Sequence, residues 1–481
     1  MLSDVRTLVY GCLLPAFRAP APPDWIRRAL DEGLAGVCLF GPTLQLIEGR
    51  VHDVVAQPLR DCAPDLLLAL DEEGGDVTRL DYLRGSRFPG NHALGALDDV
   101  TVTRAVAGSL GAELRRAGVN LNLAPCADVV VDPRNPIIGL RSFGSGPALV
   151  SRHTAAYVEA LQGQGIAATA KHFPGHGNTH TDSHHELPTV DDDMESLRRY
   201  GLPPFAAAVD AGVRCVMTGH VRLPALDDLP ATFSRRLLTD VLRGELGFDG
   251  VVVTDAIDMG AVRSRWGLAG SAVMSWRAGA DLVVIGADDG EEHCEAIVRA
   301  AEAAVADGTL DVARLARAAE RVAELRAWVA DAEPSGAPDT RLAEEAAPLL
   351  LGPAVPALPA PPFVVEFRPT VNEAIGMVPW GMVDSLARID WLHGHTKVHE
   401  EDAESLPEIP AHAPLLVVVR DCADSPWQLR GLRRLLAEHP DAVVVEMGMP
   451  GRLDVPAGRL VHTHGIGLAN SRATARALAG R

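Results

Sequence analysis

No apolar run in the chain approaches the ~20 residues of a membrane-crossing helix, so no membrane partner is expected. There is no basic excess either: 44 Lys and Arg stand against 64 Asp and Glu, a formal net charge of −20. Nucleic acid and anionic surfaces are excluded as natural partners, because phosphate binding needs clustered cations. The plain reading of the charge is solubility. Paired cysteines are missing as well. The seven, at positions 12, 38, 62, 126, 215, 294 and 422, form no CxxC motif. Most lie in apolar runs such as Val37-Cys38-Leu39-Phe40, where a free thiol behaves as a small hydrophobe. An odd, unpatterned set points to a reducing compartment, and a cytoplasmic location is expected. No export signal is evident: Val9-Tyr10-Gly11-Cys12 faintly resembles a lipoprotein cleavage site, but Asp4 precedes it and the apolar stretch is short. Thr7–Leu14 is instead expected to be the first strand. No internal repeat and no composition of disorder is present. With 481 residues, 47% of them hydrophobic, the chain can build two domains or one large one with an appendage.

What the chain does have is histidine in one place. His172, His176, His180, His184 and His185 fall within Lys171–His185, directly after an apolar run and among Pro174, Gly175 and Gly177. Packing does not explain so many titratable side chains on a segment broken by Pro and Gly, where they can reach a substrate. Imidazole titrates nearest neutrality, which suits proton transfer.

Short apolar runs alternate with amphipathic segments through the first two thirds of the chain. Strands are expected at Leu8–Leu14, Gly36–Phe40, Leu66–Leu70, Asn120–Ala124, Ala167–Lys171, Cys215–Gly219, Val251–Thr254 and Leu282–Ile285. Helical stripes lie between them, such as Val106, Leu110 and Leu114 ahead of a capping Gly118. Strands apolar throughout fit a sheet covered on both faces, as in a (β/α)8 barrel or a doubly wound sheet. Asp71, Asp128, Lys171-His172, His220 and Asp255 all follow the C-terminal ends of these strands, the end that carries the chemistry of a barrel. A long helix with Leu315, Ala319, Val322 and Val329 on one face closes the unit. The expected division is a catalytic (β/α)8 TIM-type barrel over 1–332, a linker with a short helix and a Pro-rich segment over 333–362, and a smaller C-terminal α/β sandwich domain over 363–481. The last is expected to be structural, with His393, His395 and His399 in a solvated loop.

Lys171-His-Phe-Pro-Gly-His-Gly177 followed by Asp182-Ser183-His184 resembles the signature of the β-N-acetylglucosaminidases of glycoside hydrolase family 3. Pro230–Ser234 and Leu242–Ala256 resemble that family's nucleophile region, and Asp71–Arg79 its sugar-binding loop. The resemblance spans roughly residues 5–330 and favours the barrel. It implies that Asp255 is the nucleophile and His184 the general acid/base, with Asp182 polarising His184. Without the resemblance, Asp255 reads equally well as a helix N-cap. The pairing is chemically sound, because imidazolium can protonate a leaving oxygen and imidazole can then activate water, with a carboxylate fixing the tautomer. His185 competes with His184, and only the motif's spacing separates them.

Lys171, His172, Arg141, Asp71 and Arg79 are expected to bind sugar hydroxyls. For Arg79 a surface ion pair is the rival reading. Glu72 and Glu73 are expected to support the loop, His176 and His220 to shape the site, and Asp258 to cap or face solvent. The expected substrate is a terminal β-linked N-acetylglucosaminide, with no cofactor and no metal. Zinc ligation by His176, His180 and His184 is the weaker reading, since Pro174, Gly175 and Gly177 spoil a helical ligand face. A phosphorylase using phosphate as acceptor would need the same residues. A non-catalytic sugar-binding relative is disfavoured by the retention of Asp182, His184 and Asp255 together. Cell-wall fragments, as in peptidoglycan recycling, and chitin oligosaccharides are both open as substrates. The oligomeric state is not legible.

Overall fold

The computed structural model describes residues 2–179, 181, 186–351, 355–403 and 406–481. Eight short strands with intervening helices make up the first two thirds: β1 Leu13–Pro15, β2 Gly36–Leu39, β3 Leu67–Leu70, β4 Leu121–Asn122, β5 Ala167–Phe173, β6 Cys215–Thr218, β7 Val251–Thr254 and β8 Val283–Ile285. β2 to β7 pair in chain order as one parallel six-stranded sheet, and β1 pairs with β8 in parallel. A parallel bridge between Val253 and Leu282 joins β7 to the start of β8. The whole is a TIM-like α/β fold with a curled parallel sheet.

The side-chain period of two sorts the strand residues into two cores. Leu14, Cys38, Leu67, Ala69, Leu121, Met217, Val253 and Val284 pack together inside the sheet, joined by Val322, Leu325 and Val329 from the helix Val312–Asp331. Their neighbours Leu13, Val37, Leu39, Leu68, Leu70, Val216, Val252 and Val283 face the surrounding helices. Burial on both faces explains why the strands read as continuous apolar runs.

In the expected first strand Thr7–Leu14, residues up to Tyr10 end the helix Leu2–Tyr10, Gly11 and Cys12 turn, and Leu13 and Leu14 are extended, in Leu13–Pro15. Val5 and Val9, four apart on one helix face, are buried. Between them Arg6 pairs with Glu32 and reaches Glu295 at 2.5 Å. A helix presents both the apolar stripe and the cation, so the run of Leu, Val and Tyr did not make a strand.

After the helix Thr340–Leu351 a second parallel sheet forms, in the order β10-β9-β11-β12-β13, from β9 Phe363–Phe367, β10 Gly394–Val398, β11 Leu415–Val419, β12 Val443–Glu446 and β13 Leu460–His462. The helix Pro426–Glu438 buries Leu432 and Leu435 against it. β10 replaces the expected solvated loop around His395. It is an edge strand that exposes His395 and Lys397, so it carries no apolar pattern.

Candidate active site

β3 delivers Asp71 and then turns through Glu72-Glu73-Gly74-Gly75. Gly74 and Gly75 have φ of +80° and +58°, and a Cβ on Gly75 would lie 2.4 Å from the Gly90 Cα. Only glycine fits there. The reversal buries Glu72, whose Oε2 accepts Thr78 Oγ1 at 3.0 Å, Arg79 N at 2.7 Å and Leu80 N at 2.8 Å. Burial pushes this carboxyl up to about 7, against the pull of those donors.

Glu73 holds the centre of the site. Its Oε1 lies 2.7 Å from Lys171 Nζ, and Arg141 grips it from two nitrogens at 3.0 and 2.8 Å. Lys171, one of only two lysines in the chain, also donates to Asp71 at 2.6 Å. Burial raises the pKa of Glu73, but the adjacent Arg141 and Lys171 outweigh it and hold the carboxyl below its ordinary range. For Lys171 burial works downward, and Asp71 and Glu73 reverse it so that the ammonium stays charged. Arg141 is likewise stabilised by Glu73 against the cost of burial. The result is a buried, neutralised cluster of fixed charges rather than a row of titrating groups.

The Lys171–His172 peptide is cis. His172 donates its backbone N–H and Nδ1–H to Asp128, the latter at 2.7 Å, and faces Arg141 Nη2 through Nε2 at 3.4 Å. Asp128 also accepts His176 N at 2.6 Å. Burial raises its pKa, and the interaction with His172 overcomes this and lowers it. Burial, helped by His172, pushes His176 down to about 4 and keeps it neutral. His220 is lowered by burial too, and its ring bridges Thr232 Oγ1 at 2.8 Å and Ala256 O at 3.0 Å. His176 borders the cavity of the site, whereas His220 is not among its lining residues.

Asp255 follows β7, with its N–H on Thr218 O at 3.2 Å and its Oδ1 accepting Ala256 N at 2.8 Å. The next helix starts only at Gly260, with Met259 at its N-cap, so the N-cap alternative fails. Asp258 neither caps a helix nor simply faces solvent, since its Oδ1 accepts Gly286 N at 2.8 Å and ties the β7 end to the β8 end. Asp71, Arg79, Arg141, Lys171, His172 and Asp255 together line one cavity of about 380 Å³.

Arg79 is buried and, among the described residues, makes no surface ion pair: its Nη1 and Nη2 donate to the carbonyls of Thr78 and Ala374 at 3.2 and 2.8 Å. Ala374 belongs to the C-terminal third, expected to be structural only. Asn372 Nδ2 donates to Pro136 O at 3.0 Å, Met377 N to Tyr82 Oη at 3.1 Å, and Glu373 and Ala374 line the cavity itself. Deeper in the same interface, Asp76 accepts Ile466 N at 2.9 Å and Arg420 Nη2 at 3.2 Å.

His180, Asp182, His184 and His185 lie outside the described residues. The segment that carries them starts from His176 and Thr179, both held by Asn135 Nδ2, and is rejoined where Val190 N bonds Arg222 O at 3.0 Å. Asn178 Nδ2 donates to Asp192 at 3.2 Å; an aspartate there would meet a like charge. Among the described residues, Cys126, Asp128 and His172 group their ligand atoms within 4.8 Å. Asp128 already takes three N–H donors, so these atoms serve as a positioning network for His172.

The family model "Glycosyl hydrolase family 3 N terminal domain" matches residues 29–325. The chain belongs to glycoside hydrolase family 3. "Beta-hexosaminidase A" of Pseudoalteromonas piscicida is 35% identical over 286 residues, 55% of this chain and 48% of that protein. The chain thus matches about half the length of that relative. "Beta-hexosaminidase" of Xanthomonas oryzae pv. oryzae strain MAFF 311018 is 36% identical over 274 residues, 54% of this chain and 78% of that one. A family 3 β-N-acetylglucosaminidase from Paenibacillus sp. str. FPU-7 superposes with a TM-score of 0.87 at 30% identity, covering 99% of this chain and 96% of that structure.

The site residues that sequence reasoning undervalued in this family 3 chain are Glu73, Asp128 and the 372–377 segment. Asp128 carried a signal, since it follows a strand. Glu73 sat among three consecutive acids with nothing to single it out. Nothing in the sequence placed Glu373 near Asp71.

Proposed function

We propose that the protein is a retaining exo-β-N-acetylglucosaminidase acting through a covalent glycosyl-Asp255 intermediate, on eight strands closed into a barrel. The observation that carries this reading is the convergence of Asp71, Arg79, Arg141, Lys171 and His172 with Asp255 on one cavity. The binding residues offer fixed donors and acceptors for the hydroxyls of a terminal sugar, preorganised by Glu73 and Asp128. Arg79 keeps a buried Nε with no partner among the described residues. The relatives named for hexosaminidase activity support the same substrate class.

In the proposed first step the Asp255 carboxylate attacks the anomeric carbon. The bond to the leaving oxygen breaks, and His184, paired with Asp182, gives that oxygen its proton. Neutral His184 then takes a proton from water, whose oxygen displaces Asp255. Most glycosidases use two carboxyls for these roles.

The test is a pair of variants. Asp255→Asn is expected to abolish turnover whatever the leaving group. His184→Ala should still release nitrophenolate, which departs without a proton, yet fail on sugar leaving groups. It should accumulate a glycosyl adduct on Asp255 and recover with azide. Equal loss on good and poor leaving groups, or an adduct on another residue, overturns the assignment. Sugar 1-phosphate in phosphate buffer would mark phosphorolysis instead.

A further inference from the structure

The cavity of the site does not end at the residues that hold the terminal sugar. It runs from Lys171 and Asp255 to Arg18, Ala287 and Asp288 at the ends of β1 and β8. A second cavity, of about 330 Å³, begins there. Arg18 and Ala287 line both, while Phe17, Pro23, Trp25 and Gly290 line only the second. We propose that the second cavity is a carbohydrate subsite, in which the ring after the leaving sugar of a β-1,4-linked N-acetylglucosamine oligosaccharide rests on Trp25. This rests on the exo-hydrolytic reading above and makes three rings or more the preferred chain length.

The direction follows from exo action. With the terminal ring held among Asp71, Arg141 and Lys171, the substrate extends only from the leaving side, and a cavity continuous with the site receives it. Trp25 is fixed in place by the chain around it. Past β1, Ala16 N donates to Ile285 O at 2.9 Å and the Phe17 carbonyl accepts Thr43 Oγ1. Pro20, Pro22 and Pro23 then stiffen the chain ahead of the helix Asp24–Asp31, with Trp25 in its first turn. The neighbouring helix Gly290–Ala306 opens on a glycine, where a Cβ would stand 3.0 Å from Trp25 Cζ2 and 2.8 Å from Ala16 O. Arg28 and Glu291 tie the two helices together at 2.6 Å. The indole is thus seated against Gly290 yet only partly buried, and among the described residues no other tryptophan lines either cavity. The chemistry suits a sugar. A β-linked pyranose with equatorial substituents carries axial C–H bonds on its faces, and these pack on an aromatic ring while the hydroxyls stay in water. Where the cavities meet, Arg18 and Asp288 lie 3.5 Å apart and exposed, a donor and an acceptor for hydroxyls of the ring that crosses.

Initial rates on the β-1,4-linked dimer and trimer of N-acetylglucosamine, beside a nitrophenyl glycoside, test this. In wild type kcat/KM is expected to rise about five- to tenfold from dimer to trimer, the scale of one aromatic contact. Trp25→Leu keeps an apolar side chain but loses the flat face, and should bring the trimer-to-dimer ratio close to one. Trp25→Phe should keep most of it. Each ratio is taken within one protein, so a smaller folded fraction does not alter it. Equal values for dimer and trimer in wild type, or an unchanged ratio in Trp25→Leu, overturn the proposal. Should wild type cleave neither the oligosaccharides nor the nitrophenyl glycoside, the hydrolytic reading fails on its own. Calorimetric titration with the trimer then decides the subsite: wild type should bind it several-fold more tightly than Trp25→Leu, and equal affinities overturn it.

Discussion

Glu73 takes on the charge of two buried cations at once, and its removal leaves both without their shared partner. Glu73→Gln keeps the shape and deletes only the charge. It is expected to destabilise the fold by about 3–5 kcal/mol, the cost of an uncompensated buried ion, and to lower kcat/KM by roughly 100-fold as Lys171 and Arg141 shift. Asp71→Asn removes one of the two carboxylates on Lys171 and leaves Arg141 gripped, so its loss of stability should be smaller. Thermal unfolding of the two variants alongside kinetics on an aryl glycoside checks the order. Lys171, His172 and Asp71 were legible in the sequence because each follows an apolar strand and the turn residues begin there. Glu73 was not: in Asp71-Glu72-Glu73 the chain gives three acids in a row, and which one turns inward is decided by the Gly74-Gly75 reversal. Arg79 read ambiguously for a related reason, since the carbonyl that fixes it lies at residue 374.

Among elements, the 71–80 loop shows best how one buried carboxyl can organise a turn. Three donors converge on the one oxygen Oε2 of Glu72, which leaves its other oxygen able to carry a proton, and burial raises the group to about 7. Glu72→Gln keeps an oxygen acceptor and is expected to cost about 1 kcal/mol or less. Glu72→Ala leaves the donors of Thr78, Arg79 and Leu80 unmade and should cost about 1–3 kcal/mol or more; denaturant unfolding of both variants distinguishes them. The strands of the first sheet were legible because burial on both faces left continuous apolar runs, and Val251–Thr254 was placed to the residue. Two elements escaped for opposite reasons. Thr7–Tyr10 is apolar enough to pass for part of a strand, yet it belongs to a helix whose Arg6 meets Glu32 and Glu295 from distant segments. Gly394–Val398 is polar enough to pass for a loop, because an edge strand needs backbone partners more than apolar side chains.

At the scale of the whole molecule, the first sheet and its helices meet the C-terminal sheet through polar contacts, and one of these brings three histidines together. His92, on the helix Asn91–Leu97, stacks on His464 just after β13 at 5.2 Å between ring centroids, with their Nδ1 atoms 3.2 Å apart. The His462 ring centroid lies 6.0 Å from that of His464. Burial pushes His92 down to about 4 and His464 to about 3, each helped by a neighbouring imidazole, and burial lowers His462 as well. In the unfolded chain an imidazole titrates near 6.5, so below that pH the unfolded state binds protons that the folded state refuses. The sign follows: stability from this cluster is fully present above about pH 6.5 and is lost as pH falls toward the folded values near 4. The whole loss is on the order of a few kcal/mol. Burial lowers His153, His176 and His220 as well, so the readout is a difference between proteins. His464 has a φ of +54°, a conformation that asparagine tolerates, so His464→Asn removes a titrating ring without adding backbone strain. Thermal unfolding of wild type is expected to fall steeply between pH 6.5 and 4.5, and His464→Asn to show a shallower fall over that range. Parallel curves would mean that the histidine cluster does not govern how the C-terminal sheet stays seated against Asp76 and Arg79.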